Sequence, residues 1–183
     1  MTTRYYTATS LDGYIADPDN SLDWLMAVPD ADNATGDVSE FLLGVGAMCL
    51  GATTYEWMVA NEPPEVWHEN YGDRPTWVFT HRELPELPEL PGANVRFVAS
   101  EVGPVHAEMV AAAAGRDIWI IGGGDLAGQF ADAGLLDEVI VGVAPVTLGG
   151  GAPLLPRRLL SDRLRLVEVA QLGQFAKLVY RVR

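Results

Sequence analysis

The stretch that most constrains the fold runs from Asp117 to Val143 and reads DIWIIGGGDLAGQFADAGLLDEVIVGV. It opens with a short apolar run rich in β-formers, which predicts a buried strand. Three glycines follow, and Asp125 then stands where it can cap a helix that Gly134 ends. A second apolar run from Val139 to Val143 predicts the next strand. This layout turns unpaired backbone N–H groups and the positive end of a helix dipole toward an anion, so we expect a phosphate-bearing ligand there.

The glycine turn by itself is also compatible with two further arrangements. Gly122, Gly124 and Ala127 satisfy the spacing G-x-G-x-x-A of a Rossmann unit. That unit also needs an acidic residue at the end of the following strand, whereas Asp137 and Glu138 precede theirs. A tight strand-to-helix turn without a ligand remains open at this point.

Charge and apolar patterning exclude several classes of partner. The chain carries a formal net charge of −13 at pH 7, which disfavours nonspecific binding to nucleic acid or to an anionic membrane. No stretch approaches the length of a transmembrane helix, and the amino terminus lacks the apolar core of a signal peptide. The single cysteine, Cys49, excludes an internal disulfide. We expect one cytoplasmic domain over residues 1–183, without nucleic-acid or membrane partners.

Two further turns that follow predicted strands carry groups suited to an anion. Gly51 is followed by Thr53 and Thr54, whose hydroxyls can donate hydrogen bonds; simple N-capping by threonine is the alternative. Thr80 and Arg82 follow the next predicted strand, and a guanidinium binds phosphate with two parallel hydrogen bonds. A solvated arginine in a turn is the alternative for Arg82.

The polar segment from Asp17 to Ser21 is dense in turn-forming residues and is bracketed by Tyr14 and Trp24. Such a loop can act as a lid over a site, and a surface loop anchored by two aromatic residues is the alternative. The proline-rich segment from Leu84 to Pro91 predicts an extended connector.

The remaining patterns predict the fold class. Helical spacing begins at Asp37, which occupies a cap or first-turn position. Predicted helices alternate with strands up to Val143, and two alternating segments around Gly173 predict a closing hairpin. We therefore expect an α/β fold with a mixed central sheet of about eight strands, about four helices and a helix layer on each face.

The ordered set of motifs resembles the dihydrofolate reductase superfamily, in particular the branch that holds the RibD C-terminal reductase domain and its single-domain relatives. The resemblance covers nearly the whole chain through TATSLDGYIA, the loop ending in LDW, GATTYE, WVFTHR, IWIIGGGDLAGQF and LLDEVIVGVAPVTLGGGAPLL. It implies a three-layer sandwich and a reductase that takes a hydride from NADPH. The implied substrate is a small heterocycle, either pterin-like or a ribosylated pyrimidine, and the implied assembly is a homodimer.

The resemblance also implies which residues bind the cofactor. The glycine turn binds the pyrophosphate, the turn after the second strand faces the phosphates, and the end of the third strand meets the ribose and its 2′-phosphate. The first strand and the residues beyond it line the nicotinamide pocket, under a mobile loop from Asp17 to Trp24. In that order the residues are Gly122, Gly123, Gly124, Asp125 and Leu126; Gly51, Thr53 and Thr54; Thr80 and Arg82; and Ala8, Ile15 and Ala16.

The chain departs from the family pattern at one position. Relatives usually carry a basic residue after the glycine of GATTYE, where it pairs with the 2′-phosphate, and here that residue is Ala52. Arg82 is then the evident cation for this phosphate, and the choice between NADPH and NADH stays open. Losing one charge-assisted contact costs roughly 1.5–3 kcal/mol, about a tenfold to hundredfold loss of affinity.

Asp37, Asp12 and Trp24 are the candidates for the catalytic centre. In the family an acid on the first helix serves the substrate ring; Asp37 falls about two residues from that position, with Glu40 as the alternate acid and helix capping as the alternative role for Asp37. Asp12 belongs to the SLDG motif near the nicotinamide, or is a plain turn aspartate. A carboxylate desolvated beside Trp24 would have a raised pKa and could act as an acid.

Two further functions compete with that of a reductase. A nucleotide-binding protein without turnover is motivated by Ala52 and by the displaced acid. Hydrolysis is disfavoured because no G-x-S-x-G motif is present and because the three histidines lack triad or metal-ligand spacing. The same scatter of His68, His81 and His106 predicts that no metal is bound.

Overall fold

The computed structural model describes residues 1–29, 31–82 and 93–183, with the backbone alone for residues 31–35. Its strands are β1 Thr3–Thr9, β2 Tyr14–Ala16, β3 Val45–Gly51, β4 Thr76–Phe79, β5 Val95–Val98, β6 Asp117–Gly122, β7 Glu138–Val143, β8 Ala152–Pro153, β9 Leu164–Leu172 and β10 Phe175–Val182. Its helices are α1 Asp23–Met26, α2 Ala31–Leu43, α3 Ala52–Asn61, α4 Pro64–Tyr71, α5 Val102–Ala113 and α6 Gly124–Asp132.

Eight strands form the main sheet in the order β5-β4-β3-β6-β1-β7-β10-β9. The first six are parallel to their neighbours, and β10 is antiparallel to both β7 and β9. The predicted mixed sheet and closing hairpin are confirmed, with Gly173 in the left-handed region at the joint. The described residues hold six helices, since α1 and α4 were not predicted, and a small second sheet pairs β2 with β8.

The helices form a layer on each face of the sheet, as predicted for a three-layer sandwich. On one face α5 and α6 bury apolar side chains such as Met109 and Phe130 against Tyr5. On the other face α2, α3 and α4 cover the neighbouring side chain, Tyr6, together with Trp119. Tyr5 and Tyr6 point to opposite faces because side chains alternate along a strand. The helices change face because right-handed crossovers run first toward β5 and then back toward β7.

Two predicted helix starts are wrong. Helix α6 is capped by Gly123 and begins at Gly124, so Asp125 lies inside its first turn and is not the cap. Helix α2 begins at Ala31, which places Asp37 in the middle of the helix. The predicted end of α6 is confirmed, because Gly134 takes a positive φ of 68° just after it.

The fold also bears on the single cysteine, on membrane-spanning helices and on metal-binding groups. Cys49 is buried and free, and burial raises the pKa of its thiol, which fits an inert residue. Across residues 1–29, 31–82 and 93–183, no helix combines the length and the apolar character needed to span a bilayer. The same ranges hold no group of three or more His, Cys, Asp or Glu side chains suited to a metal ion. The predicted connector from Leu84 to Pro91 lies outside the described residues.

Candidate functional site

A crevice opens at the carboxyl edge of the sheet between β3 and β6. These strands are parallel neighbours, but α3 leaves β3 toward one face and α6 leaves β6 toward the other. The two turns are adjacent, since a Cβ on Gly51 would lie 3.8 Å from the backbone nitrogen of Gly123 and 3.9 Å from the oxygen of Gly122. In open α/β sheets, ligands bind where neighbouring helices diverge in this way.

Two helix N-termini border this crevice, and neither is capped by a side chain. Gly51 is the N-cap of α3 and Gly123 is the N-cap of α6, and both adopt extended backbone. The alternative that threonine caps α3 is therefore wrong. The first-turn N–H groups of each helix have no carbonyl acceptor within the helix, so both dipoles favour an anion at this edge. Thr54 lies in the same place, because a Cβ on Gly122 would approach its hydroxyl oxygen to 3.0 Å.

Gly124 and Leu126, which follow Gly123, are packed against other parts of the protein. A Cβ on Gly124 would lie 2.2 Å from the carbonyl oxygen of Pro153 and 2.4 Å from that of Leu154, so this glycine packs against the backbone around β8. The Leu126 side chain is buried in the core. Gly124 and Leu126 can therefore offer a ligand their backbone N–H groups alone.

Asp125 is exposed at the start of α6, and Arg157 neutralises it. Its carboxylate accepts hydrogen bonds from Gln129 at 2.9 Å and from Arg157 at 3.0 Å, and these contacts lower its pKa. Arg157 also pairs with Asp132 at 2.7 Å and lies across Gly128, where a Cβ would be 2.8 Å from the arginine side chain. Sequence reasoning missed Arg157, because nothing local signals a contact across so many residues.

The end of β4 carries the predicted cation on the other side of β3. Arg82 pairs with Glu56 of α3 at 3.0 Å, and its side chain is 55% exposed. Its backbone N–H donates to the hydroxyl of Thr80 at 2.9 Å, which ties the two residues into one turn. Glu56 lies one helical turn after Ala52, so Arg82 lies beside the first turn of α3. Thr53, in contrast, is exposed on the outside of that turn.

Residues 10–16 and 144–155 form a clasp over the ends of β1 and β7. Leu11 donates its N–H to Val146 at 2.7 Å, Leu154 donates to Gly13 at 2.9 Å, and β2 pairs with β8. Ile15 and Ala16, predicted to line the nicotinamide pocket, belong to β2 and are half-buried. The chain has a second run of three glycines at residues 149–151, and the clasp requires the last of them, because a Cβ on Gly151 would lie 2.0 Å from the oxygen of Ala16.

Asp12 holds the two halves of the clasp together. Its carboxylate accepts hydrogen bonds from the Ser10 hydroxyl at 2.6 Å, from the Gly149 N–H at 2.7 Å and from the Leu148 N–H at 3.1 Å. These donors, Ser10 first and Gly149 next, lower the pKa of Asp12 to about 2. The geometry thus favours the role of a turn aspartate, since a carboxyl group with this pKa has no proton to donate near neutral pH.

We expect Asp12→Asn to lower the melting temperature at pH 7, because the amide turns a donor toward the N–H groups of Leu148 or Gly149. The folded pKa of about 2 lies below the ordinary 3.8, so the stabilisation is complete above that ordinary value and is lost as pH falls from 3.8 to about 2. The difference between variant and wild type should therefore shrink as the pH falls from about 4 to about 2. Thermal scans against pH check this, with Asp19→Asn as a control that removes one exposed charge nearby; equal melting temperatures at pH 7 would contradict it.

Asp37 lies in a polar pocket between α2 and the sheet. It accepts a hydrogen bond from the Tyr6 hydroxyl at 2.5 Å and pairs with the ammonium of Lys177 at 2.8 Å. Burial, and then the hydrogen bond to Asp37, raise the pKa of Tyr6. Lys177 also lies 3.6 Å from Glu168. Asp37 is thus no helix cap, and the alternate acid, Glu40, is exposed.

The predicted lid packs down beside this pocket. Trp24 and Leu25, both in α1, contact a small apolar cluster that contains Val28, Ala144 and Phe175. The indole Nε1 of Trp24 is buried and, among the described residues, has no hydrogen-bond partner. A buried donor of this kind is costly unless it meets an acceptor, which makes it a candidate contact for a ligand.

Known proteins match both the sequence and the fold. The family model of the RibD C-terminal domain matches residues 2–178. The chain is 34% identical over 180 residues to the uncharacterized protein YwjB of Bacillus subtilis (strain 168), covering 97% of this chain and 96% of that protein. A putative riboflavin biosynthesis protein from Shewanella sp. PV-4 superposes with a TM-score of 0.77 at 25% identity, over 100% of this chain and 99% of that one.

A longer relative shows the same fold. RibD of Acinetobacter baumannii superposes with a TM-score of 0.72 at 21% identity, over 100% of this chain and 58% of that protein. At 21% identity this match shows a shared fold and nothing more. Together with the family match, it confirms the resemblance that the ordered motifs predicted.

Proposed function

The chain belongs to the RibD C-terminal domain family, and on that premise we propose that it is a reductase that uses NADPH to reduce a small heterocycle. One observation carries the proposal: four neighbouring strand ends offer the groups that a dinucleotide needs in the order in which it needs them. Along β4, β3, β6 and β1 these are Arg82, the Gly51 turn, the Gly122–Gly123 turn and Ala8. Three strand spacings span roughly 14 Å, which suits an elongated ligand lying across the edge.

Each part of the cofactor would meet chemistry that fits it. Arg82 and Thr80 would hold the 2′-phosphate and its ribose, and the two uncapped helix N-termini with Thr54 would hold the pyrophosphate. The nicotinamide would then lie toward Ala8, under α1 and against the clasp. The open space at Gly123, where a Cβ would meet nothing within 4 Å, leaves room for a ligand at the crevice.

When bound, NADPH supplies the hydride, a proton from solvent completes the reduction, and the chain supplies orientation and shielding. Asp37 is the proposed contact for the substrate ring: its carboxylate, held by Tyr6 and Lys177, accepts an N–H of the heterocycle and fixes its plane. Trp24 and Leu25 cover the pocket from the lid side and exclude water from it. Asp12 acts indirectly, because it keeps the clasp in place.

The test is a fluorescence titration of the protein with NADPH and, separately, with NADH. Tryptophan emission should fall with micromolar NADPH as energy passes to the bound nicotinamide. Gly123→Ala should weaken binding at least about tenfold and lower the melting temperature only slightly, because its methyl group enters the open crevice and meets no protein atom within 4 Å. Gly36→Ala, at an equally open position on α2, is the matched control and should bind as wild type does. No binding of either dinucleotide at millimolar concentration would refute the proposal.

A binding protein of the same fold without turnover is the second candidate. It is favoured by Ala52 and by the pairing of Arg82 with Glu56, which together leave the 2′-phosphate position with little free positive charge. Under this alternative the titration shows binding, but no pterin or pyrimidine in a substrate panel oxidises the bound NADPH.

We also propose that two copies of the chain associate. Among the described residues, the edge strand β9 has one side unpaired in the main sheet, and it exposes apolar side chains, with Val169 63% exposed. Leu166 and Val167 are exposed on the same strand. An apolar edge strand of this length tends to pair with another chain, and a second copy would cover it.

A further inference from the structure

Lys177 lies in the row of the sheet that carries the proposed nicotinamide contact. In the sheet register Lys177 of β10 is opposite Gly142 of β7, and Gly142 is opposite Ala8 of β1. Side chains in register on neighbouring strands share a face, so Lys177 and Ala8 lie on the same face as Tyr6. The row that holds Lys177 therefore lies two residues beyond the row that holds Tyr6, toward the carboxyl edge of the sheet.

The strands beside Lys177 carry small side chains on this face, and the Phe175 ring lies next to them, since a Cβ on Gly142 would be 3.8 Å from it. Ala8 and Gly142 carry a methyl group and a hydrogen, and both are half-buried. The side chains of Lys177 and Asp37 retain 15% and 19% of their exposure, so the pair forms a wall of the pocket rather than part of the core. Neither group is sealed from a ligand.

The ion pair of Lys177 and Asp37 differs chemically from a lone carboxylate. A lone carboxylate in such a pocket attracts a cation, and it suits an amidinium group, which presents donors on one edge. Here Lys177 cancels the charge of Asp37 at 2.8 Å and retains N–H donors that Asp37 does not use. Glu168, at 3.6 Å from the ammonium, is 54% exposed, so solvent screens its charge.

We propose that Lys177 is a specificity-determining residue that makes the pocket prefer a neutral lactam edge, a ring N–H next to a carbonyl, over a 2,4-diamino edge. Asp37 accepts the ring N–H while Lys177 donates to the carbonyl oxygen. A diamino ring takes up a proton beside a carboxylate, and its cationic edge would meet the ammonium. This inference rests on the proposed reductase function, because it places the substrate ring beside Asp37.

The experiment compares two matched probes, pterin (2-amino-4-oxopteridine) and 2,4-diaminopteridine, which differ only at the 4-position. Their dissociation constants are measured by pteridine fluorescence in the presence of NADP⁺, which cannot reduce either probe. Wild type should bind pterin at least about tenfold more tightly than the diamino probe, and Lys177→Met should reverse the order, since the uncompensated carboxylate of Asp37 then favours the cation. Lys177→Arg should keep the wild-type preference.

Two further measurements keep the outcome decisive. Glu168→Gln, which changes the exposed neighbour of Lys177, should leave the preference unchanged, and melting temperatures show whether each variant is folded. If Lys177→Met misfolds, Lys177→Gln is used in its place. An unchanged preference in the folded lysine variant, or no binding of either probe at millimolar concentration, overturns the inference. The proposed function fails separately, because it falls if neither dinucleotide binds or if no compound in the substrate panel oxidises bound NADPH.

Discussion

Replacing Gly124 by alanine should lower the free energy of unfolding by about 3 kcal/mol, the upper range for forcing an extra methyl group into a packed site. The new Cβ would lie 2.2 Å and 2.4 Å from the carbonyl oxygens of Pro153 and Leu154. Both are backbone atoms, so the segment around β8 must move away from α6. Because β8 pairs with β2, the whole clasp would shift with it. Urea unfolding at constant temperature measures the loss, and the melting temperature should fall by roughly 10 °C.

The neighbouring residue supplies the control for this prediction. A Cβ on Gly123 meets nothing within 4 Å, so Gly123→Ala should cost no more than about 1 kcal/mol, the penalty for alanine at the N-cap of α6. The two glycines would then separate two requirements: Gly124 serves packing and Gly123 leaves space for the ligand. Equal stability of Gly124→Ala and wild type would show that β8 does not pack on α6 as the structure describes.

Arg82→Ala should weaken NADPH binding about tenfold to hundredfold and leave NADH binding unchanged. The guanidinium is the proposed partner of the 2′-phosphate, the group that NADH lacks. Titration of both dinucleotides gives the ratio directly. A parallel loss for both would mean that Arg82 acts on something other than this phosphate.

Two companion variants test the same phosphate position from the other direction. Glu56→Gln releases Arg82 from its 3.0 Å ion pair and should strengthen NADPH binding, because the arginine no longer shares its charge with a carboxylate. Ala52→Arg places a second cation at the first turn of α3 and should raise the preference for NADPH further. If neither variant moves the ratio of the two dissociation constants, the 2′-phosphate does not lie beside α3.

Local patterns were enough to predict the elements that build the crevice. The apolar run before Gly122 and the glycine after Leu50 each mark a strand that ends at a turn, and both turns exist. The starts of the helices could not be predicted in the same way. A helix start depends on which backbone N–H groups remain unpaired and not on where an acidic residue stands. Asp125 and Asp37 both suggested caps, and both lie within helices.

Contacts between distant segments were beyond local reasoning. The alternation in β10 puts Lys177 on the same face as Val179, but only the packing of α2 on that face brings it to Asp37. The role of Asp12 is similar, since its acceptor sites are filled by N–H groups 136 and 137 residues away. Family resemblance named the turns that we propose for the cofactor, whereas these partners required the fold itself.

The position of β6 between β1 and β3 has a consequence for how the protein is made. Among the described residues, β1 pairs only with β6 and β7, which lie more than 100 residues later in the chain. Until residues 117–122 have been synthesised, β1 lacks both of the strands that it pairs with in the described part of the fold, and one side of β3 stays open. Two apolar strands of the emerging chain therefore stay open to wrong pairing until β6 arrives.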